Sequence, residues 1–266
     1  MTFCDFRLAC IAPMMMRLLL APFYFAYKLW IGLVFWVSLI LLYPFFFILL
    51  RKKKSYPAAF KLKRLWAAII QTLLFCPMKI TGKNKLPKPP FIIVSNHSSH
   101  LDTVFMYRVI DEYFLFIGKG ELLKWPLFRL FFRTMDIPIN RVNRKSAYES
   151  LQKAYEALER KECVAMYPEG TIPLSSPRMK SFKNGAFRMA IDRNVPIVPI
   201  TWQSNYRVIN NPEKIFSPSY PSIIKVVIHD AVYPMGTGDD DLIALRNVVF
   251  ISIESALPSK YKQPKS

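Results

Sequence analysis

The feature that most constrains this sequence is a long uncharged apolar run near the N-terminus. Residues 29–50 read LWIGLVFWVSLILLYPFFFILL, 22 residues without a charged side chain. As a helix this run measures about 33 Å, which is enough to cross a hydrocarbon core of about 30 Å. Arg51 to Lys54, four consecutive cations, follow directly, and the positive-inside rule keeps such a flank in the cytoplasm. The run therefore predicts a membrane-associated helix with the rest of the chain on the cytoplasmic face.

A signal peptide or a buried core helix fits this run less well. A secretory signal peptide would be shorter, start earlier and end at a small-residue cleavage site, and a buried core helix rarely has so long an uncharged stretch. A second apolar segment, Leu65 to Ile80, could pair with the first in a monotopic helical hairpin, so one span and a hairpin both stay open. We assign residues 1–80 to membrane anchoring, although translation could also start within Met14–Met16.

The pattern changes after residue 80, where short apolar runs alternate with amphipathic stretches. Such alternation predicts an α/β fold with a mixed, mostly parallel sheet flanked by helices. We assign residues 81–258 to this α/β domain, which is long enough to be a catalytic domain, and residues 259–266 to a polar tail. The expected last helix follows Asp239–Asp241, which would supply its N-cap and an acidic first turn. The expected strands are 91–94, 137–139, 163–167, 195–202 and 223–228, and the expected helices are 103–110, 145–161, 182–192 and 242–256.

The charge of the chain narrows its partners. The formal net charge is +19, from 37 lysines and arginines against 18 acidic residues. So basic a chain favours an anionic partner, such as nucleic acid, an anionic membrane or an acidic carrier. No zinc-finger spacing or RNA-binding signature occurs, and the cations lie beside apolar segments, so we expect membrane lipids and no nucleic acid. The four cysteines show no metal or disulfide spacing.

The stretch SNHSSHLD, residues 95–102, contains two of the three histidines in the chain. His97, His100 and Asp102 could bind a metal ion, but the chain offers few further ligands, so we expect no metal site. Alternatively, His97 could act as a general base oriented by Asp102. The third possibility is two solvated loop histidines without chemistry, and these residues alone leave the choice open.

Further motifs change that balance. Asn96-His97-x4-Asp102 resembles the first motif of the glycerolipid acyltransferase family, which includes the 1-acylglycerol-3-phosphate acyltransferases. Glu169-Gly170-Thr171 resembles its third motif. The second and fourth motifs are matched more loosely by residues 135–141, ending in Arg141, and by residues 195–200. The resemblance covers roughly residues 85–235, and four motifs in the same order are far more specific than any one alone.

The resemblance implies transfer of an acyl chain from acyl-CoA or acyl-carrier protein to the hydroxyl of a lysolipid, without a cofactor. It assigns His97 as the base and Asp102 as the residue that orients it. It also implies that Arg141 pairs with acceptor phosphate, and that backbone groups of the 169–171 turn bind the oxyanion. The residues expected to bind substrate are Asn96, Arg141, Glu169, Gly170 and Thr171.

Two departures from the family pattern concern the acceptor. Ile172 and Pro173 stand where the third motif usually has Arg and Ser, and Met135 replaces a glycine of the second motif. Isoleucine cannot bind phosphate, so either Arg178, Lys180 and Lys183 compensate, or the acceptor is a lysolipid without phosphate, such as a monoacylated amino-acid lipid. A non-catalytic membrane protein is the remaining alternative, and it predicts that His97→Ala changes nothing.

Overall fold

The computed structural model describes residues 3–140, 144–209 and 216–262, with side chains from residue 19 onward except that of Arg144. Seven strands form a single mixed sheet in the order β1-β7-β6-β2-β5-β3-β4. Neighbouring strands are parallel except for β6 and β7, which are antiparallel. The predicted mixed, mostly parallel sheet is confirmed. The strands are β1 (Met78–Thr81), β2 (Ile92–Ser95), β3 (Phe114–Lys119), β4 (Ile137–Ile139), β5 (Cys163–Met166), β6 (Ile197–Trp202) and β7 (Ile224–Ile228).

Helices cover both faces of the sheet, as expected where most strands are parallel. Side chains alternate along each strand, so Ile93 packs toward the core that includes α1 to α4, and Ile92 and Val94 pack toward the core that includes α5 to α7. The helices are α1 (Phe3–Leu49), α2 (Tyr56–Leu73), α3 (Leu101–Val109), α4 (Pro126–Thr134), α5 (Arg144–Glu159), α6 (Gly185–Arg193) and α7 (Asp239–Ser255).

The apolar N-terminal run lies within α1, and most of its large side chains remain exposed. Residues Leu19–Leu49 form a 31-residue segment that is long and apolar enough to cross a membrane by length and composition. Leu33, Leu41 and Ile48 are among the exposed residues, whereas Leu39 and Phe46 are fully buried against the rest of the protein. One stripe of α1 thus packs on the protein, and the remainder presents apolar surface.

Helix α2 is attached to the sheet by a buried ion pair. Lys63 Nζ lies 2.6 Å from Asp136 Oδ2 and 3.0 Å from the Tyr107 hydroxyl oxygen. Asp136 Oδ1 accepts a hydrogen bond of 3.1 Å from the backbone N–H of Phe116 in β3. Burial lowers the pKa of Lys63, and the Asp136 carboxylate opposes that shift. The pair therefore joins α2 to the end of the sheet formed by β3 and β4.

The structure also differs from the expected element boundaries. The second apolar segment, Leu65–Ile80, is divided between α2 and strand β1, so only its first part is helical. The boundary expected after residue 80 falls inside β1, which pairs with β7. Asp239–Asp241 do form the acidic first turn of α7, but Gly238 is the N-cap residue, and Asp241 Oδ2 accepts its N–H at 2.9 Å.

Candidate active site

The first and third motifs meet at one edge of the sheet. Strand β2 lies between β5 and β6 and is parallel to both, so the segments that follow these three strands emerge side by side. His97 follows β2, and Glu169 follows β5. The backbone N–H of His97 donates to Glu169 Oε1 at 2.8 Å. A direct hydrogen bond therefore joins the first and third motifs.

His97 and Asp102 form a hydrogen-bonded pair. His97 Nδ1 lies 3.0 Å from Asp102 Oδ2, and that same oxygen accepts the backbone N–H groups of Ser98 at 2.6 Å and Ser99 at 2.8 Å. Asp102 lies in the first turn of α3, where the helix dipole favours a negative charge. Because an ionised carboxylate only accepts hydrogen bonds, Nδ1 carries the proton and Nε2 keeps a free lone pair.

The imidazole of His97 is held between the chain and solvent. Its side chain is 15% exposed, whereas that of Asp102 is fully buried. The ring of Tyr167 stacks on it, with centroids 4.0 Å apart and an angle of 11° between the planes. Tyr167 in turn stacks on Phe116 of β3. The orientation of His97 is thus fixed both at its edge and on its face, and part of the ring stays open to a substrate.

Glu169 ties two loops together. Its Oε1 accepts from His97 and its Oε2 accepts the backbone N–H of Lys180 at 2.8 Å. Burial raises the pKa of Glu169 to about 7, although both backbone hydrogen bonds oppose the shift and the Asp102 carboxylate adds to it. Both carboxylate oxygens are engaged with the protein, so in this structure Glu169 positions the loops around His97.

The other residues of the third motif shape a tight turn. Gly170 has φ +80°, a conformation that residues with a Cβ rarely adopt. Its N–H donates to the Tyr167 carbonyl at 3.1 Å. Within the described residues, the backbone N–H of Thr171 makes no hydrogen bond, and Thr171 is exposed. The turn therefore offers one backbone donor close to the histidine loop.

Asn96 joins the ends of two strands. Its amide nitrogen donates to the Trp202 carbonyl at 3.1 Å, and its oxygen accepts the Trp202 N–H at 2.8 Å. Asn96 is buried. These contacts extend the pairing of β2 with β6 by one residue, and the assignment of Asn96 to substrate binding stays a prediction.

The cations expected to bind phosphate belong to a segment that we call the cationic loop, residues 171–183. Arg178, Lys180 and Lys183 are all exposed on it. The loop packs on the histidine loop, where the Ser176 hydroxyl donates to the Ser98 carbonyl at 3.0 Å. Ile172 is half-buried. Arg141, the other predicted phosphate ligand, lies outside the described residues.

The remaining histidines do not join the pair. His100 is exposed at the start of α3, and His229 lies elsewhere, with its Nε2 2.8 Å from the Thr201 hydroxyl. Among the described residues, no three side chains of the His, Cys, Asp and Glu types converge as a metal site would require.

Two contacts of the site are not predicted from sequence. Asn205, which follows β6, donates its side-chain amide to Asp102 Oδ1. It is 103 residues away from Asp102 along the chain, and no spacing pattern signals such a contact. The second contact is the stacking of Tyr167 on His97. The one sequence feature that could have indicated it is an aromatic residue close before the third motif.

Known proteins resemble this chain over the same region. A family model described as Acyltransferase matches residues 77–203. A 1-acyl-sn-glycerol-3-phosphate acyltransferase of Chlamydomonas reinhardtii is 30% identical over 244 residues, covering 89% of this chain and 70% of that protein. A 1-acyl-sn-glycerol-3-phosphate acyltransferase of Saccharomyces cerevisiae is 28% identical and covers 63% of this chain and 54% of its own length.

The fold also has a counterpart among solved structures. The crystal structure of the 1-acyl-sn-glycerophosphate acyltransferase PlsC from Thermotoga maritima superposes with a TM-score of 0.64 at 24% identity. The superposition covers 93% of this chain and 98% of that one, and it shows a shared fold. With the family match and the algal relative, these findings show that the chain belongs to the acyltransferase family.

Proposed function

We propose that this protein is a membrane-bound O-acyltransferase that converts 1-acyl-sn-glycerol-3-phosphate to phosphatidic acid, with acyl-CoA or acyl-carrier protein as donor. The observation that carries the proposal is the hydrogen bond between His97 Nδ1 and Asp102, in a loop that Glu169 of the 169–171 turn also contacts. Relatives named for this activity support the choice of acceptor.

The reaction follows from the tautomer of His97. Nε2 accepts the proton of the acceptor hydroxyl as its oxygen attacks the carbonyl carbon of the donor thioester. The imidazolium that forms is stabilised by Asp102 through Nδ1–H. When the tetrahedral intermediate collapses, the C–S bond breaks, and the proton on Nε2 passes to the departing thiolate. The products are the new ester and a free thiol, and His97 returns to its starting state.

The oxyanion of that intermediate needs a positioned donor. Gly170 N–H already donates to Tyr167, so it is the less suitable candidate of the turn. Thr171 N–H, which has no hydrogen bond within the described residues, is the backbone donor that we assign to the oxyanion. This role requires no particular side chain at position 171.

Acceptor binding draws on the cationic loop. Arg178, Lys180 and Lys183 lie on the loop that covers the histidine motif, and each could approach a phosphate from solvent. Arg141 remains a predicted ligand of the same phosphate. The three cations of the loop would offset the loss of the arginine that Ile172 replaces.

Helix α1 would attach the enzyme to the bilayer. Its exposed apolar surface suits lipid, and the cations Arg51–Lys54 at its end suit anionic head groups on the cytoplasmic side. A membrane location also fits the substrates, because both the lysolipid and its product reside in membranes.

Ile172 favours a second candidate, an acceptor without phosphate. The two candidates differ in one chemical group, so they can be separated by two acceptors that differ in that group. Purified full-length protein in liposomes should be offered 1-acyl-sn-glycerol-3-phosphate and 1-monoacylglycerol, with a monoacylated amino-acid lipid as a third acceptor.

We expect kcat/KM for the phosphate acceptor to exceed that for monoacylglycerol by about 10²-fold or more, since charge-assisted contacts are worth roughly 1.5–3 kcal/mol each. Labelled acyl-CoA and acyl-carrier protein should be compared as donors in the same assay. His97→Ala serves as the inactive control. Equal or greater activity with either phosphate-free acceptor would contradict the proposed acceptor while leaving the acyltransferase chemistry intact.

A further inference from the structure

We propose that Asn205 is a positioning residue that holds Asp102, and through it His97, in the orientation that base catalysis requires. Asn205 is fully buried, and its side-chain N–H donates to Asp102 Oδ1. It lies two residues beyond the segment that matches the family model. Its kinetic consequences rest on the proposed function.

The two oxygens of Asp102 depend on different donors. Oδ2 receives three: His97 Nδ1 and the backbone N–H groups of Ser98 and Ser99. Oδ1 receives Asn205 and, among the other described residues, only the Ser98 hydroxyl at a long 3.4 Å. Without Asn205, Oδ1 would keep one weak donor, and the buried carboxylate could rotate about its Cβ–Cγ bond.

The orientation of the Asn205 amide shows which of its atoms is used. Its Oδ1 is buried and has no hydrogen-bond partner among the described residues. An unpaired buried polar atom costs roughly 1–3 kcal/mol. Reversing the amide would place this oxygen against the Asp102 carboxylate, which is worse. The N–H group that faces Asp102 is therefore the functional part of the side chain.

The pairing of strands in the sheet brings Asn205 to this position. Strand β6 runs beside β2, and Asn96 continues their pairing to Trp202. Ser204 then fixes the chain, because its hydroxyl donates to the Ile223 carbonyl at 2.8 Å and accepts the Lys225 N–H at 2.8 Å. Asn205 comes next and begins a short 3-10 turn above the end of β2.

The expected defect follows from this geometry. Nε2 can accept a proton only while Asp102 holds Nδ1–H, and the imidazolium needs the carboxylate in the same place. Loss of the Asn205 donor should therefore lower kcat and leave KM nearly unchanged. The titratable groups that face the pair from neighbouring segments are His100, Tyr167 and Glu169.

Three substitutions separate positioning from packing. Asn205→Ala removes the donor and should lower kcat about 10- to 100-fold, with KM within threefold of wild type. Asn205→Asp keeps the shape but places a second carboxyl against Asp102, so at pH 8 it should be at least as impaired as Asn205→Ala. Gln203→Ala is the matched control, since it removes the 2.6 Å hydrogen bond from this side chain to the Ala256 carbonyl in the same segment without touching Asp102. It should lower the melting temperature and leave kcat within about twofold.

The pH dependence of Asn205→Asp gives a signature that packing alone cannot produce. At low pH the introduced carboxyl is protonated and can donate an O–H to Asp102. The ratio of its kcat to that of wild type should therefore rise at least threefold between pH 8 and pH 5. A flat ratio would contradict the proposal, as would a loss of kcat that simply follows melting temperature in all three variants.

A spectroscopic measurement tests the positioning without any substrate. With ¹⁵N-labelled histidine, only three rings give signals, and His97→Gln identifies the one from His97. Wild-type His97 should be a single Nδ1–H tautomer, and Asn205→Ala should show a mixture or a broadened signal. An unchanged spectrum in Asn205→Ala would overturn the inference, whether or not the protein is active. Inactivity toward every tested lysolipid would instead count against the proposed function.

Discussion

The two sides of the candidate active site differ in how firmly the chain holds them. Around His97, the buried residues Asp102 and Glu169 are held by hydrogen bonds, and the half-buried ring of Tyr167 stacks on the imidazole. The cationic loop instead presents Arg178 and Lys180 to solvent. The residues that determine the reaction class are therefore held in the interior. The choice of acceptor depends on exposed side chains, which can be substituted without disturbing the fold.

The largest predicted effect breaks the interior side. His97→Gln should lower kcat by about 10²- to 10⁴-fold, because general base catalysis contributes roughly that much. The acyl-transfer rate in liposomes measures it, with co-sedimentation showing that membrane binding persists. His100→Gln is the matched control from the same motif and should stay within about threefold of wild type. Equal losses in the two variants would contradict the assignment of His97 as the base.

A smaller effect is expected where the interior side ties to the loop. Glu169→Gln leaves one acceptor oxygen for two backbone N–H groups, so we expect kcat/KM to fall about 10- to 100-fold, the equivalent of roughly 1–3 kcal/mol. Kinetics with the preferred lysolipid measure the loss. Glu149→Gln, at an exposed position of α5, is the control and should change nothing.

The same variant should also alter the dependence of stability on pH. The pKa of Glu169 is raised to about 7 in the folded protein, so the folded state binds more protons than the unfolded state between about pH 4.5 and 7. The contribution of Glu169 to stability therefore falls as pH rises through that range, by up to about 3 kcal/mol. Denaturation from pH 5 to 8 should show a shallower fall for Glu169→Gln, and parallel curves would refute the burial effect.

The smallest effect sharpens the exposed side. Ile172→Arg restores a cation of the usual third motif and should lower KM for 1-acyl-sn-glycerol-3-phosphate about two- to fivefold, since a partly solvated ion pair is worth roughly 0.2–1 kcal/mol. KM for monoacylglycerol should not change, and Ile172→Gln supplies the uncharged control. An equal gain with both acceptors would mean that position 172 does not face the phosphate.

The same contrast explains what can be predicted from sequence. The predicted strand at Ile137–Ile139 has its observed bounds, and the spacing of His97 and Asp102 indicates their pairing, because both depend on local pattern. Strand β3 is not predicted, since its Phe-rich sequence is buried and lacks the alternation that marks a strand. From sequence alone, that aromatic stretch is more typical of a core than of an acyl-chain groove or of a segment that enters the bilayer.

Contacts between segments that only the tertiary fold brings together cannot be predicted from local sequence patterns. Asn205 reaches Asp102 only because β6 lies beside β2, and Lys63 reaches Asp136 only because α2 packs on the strands. In both cases the partners are far apart in sequence, and no repeat or motif in either segment predicts the contact. The predicted roles of the exposed cations depend on a substrate, which neither pattern nor fold supplies.

The Lys63–Asp136 ion pair has a practical consequence for anyone who wishes to prepare this enzyme without detergent. Cutting the chain before β1 would remove the apolar helix, but it would also leave Asp136 as a buried carboxylate without its cation, which typically costs about 3–5 kcal/mol. It would uncover the buried face of α3 as well, against which α2 packs. The soluble fragment is therefore expected to aggregate, and solubility should be sought by replacing exposed apolar residues of α1 while keeping α2 whole.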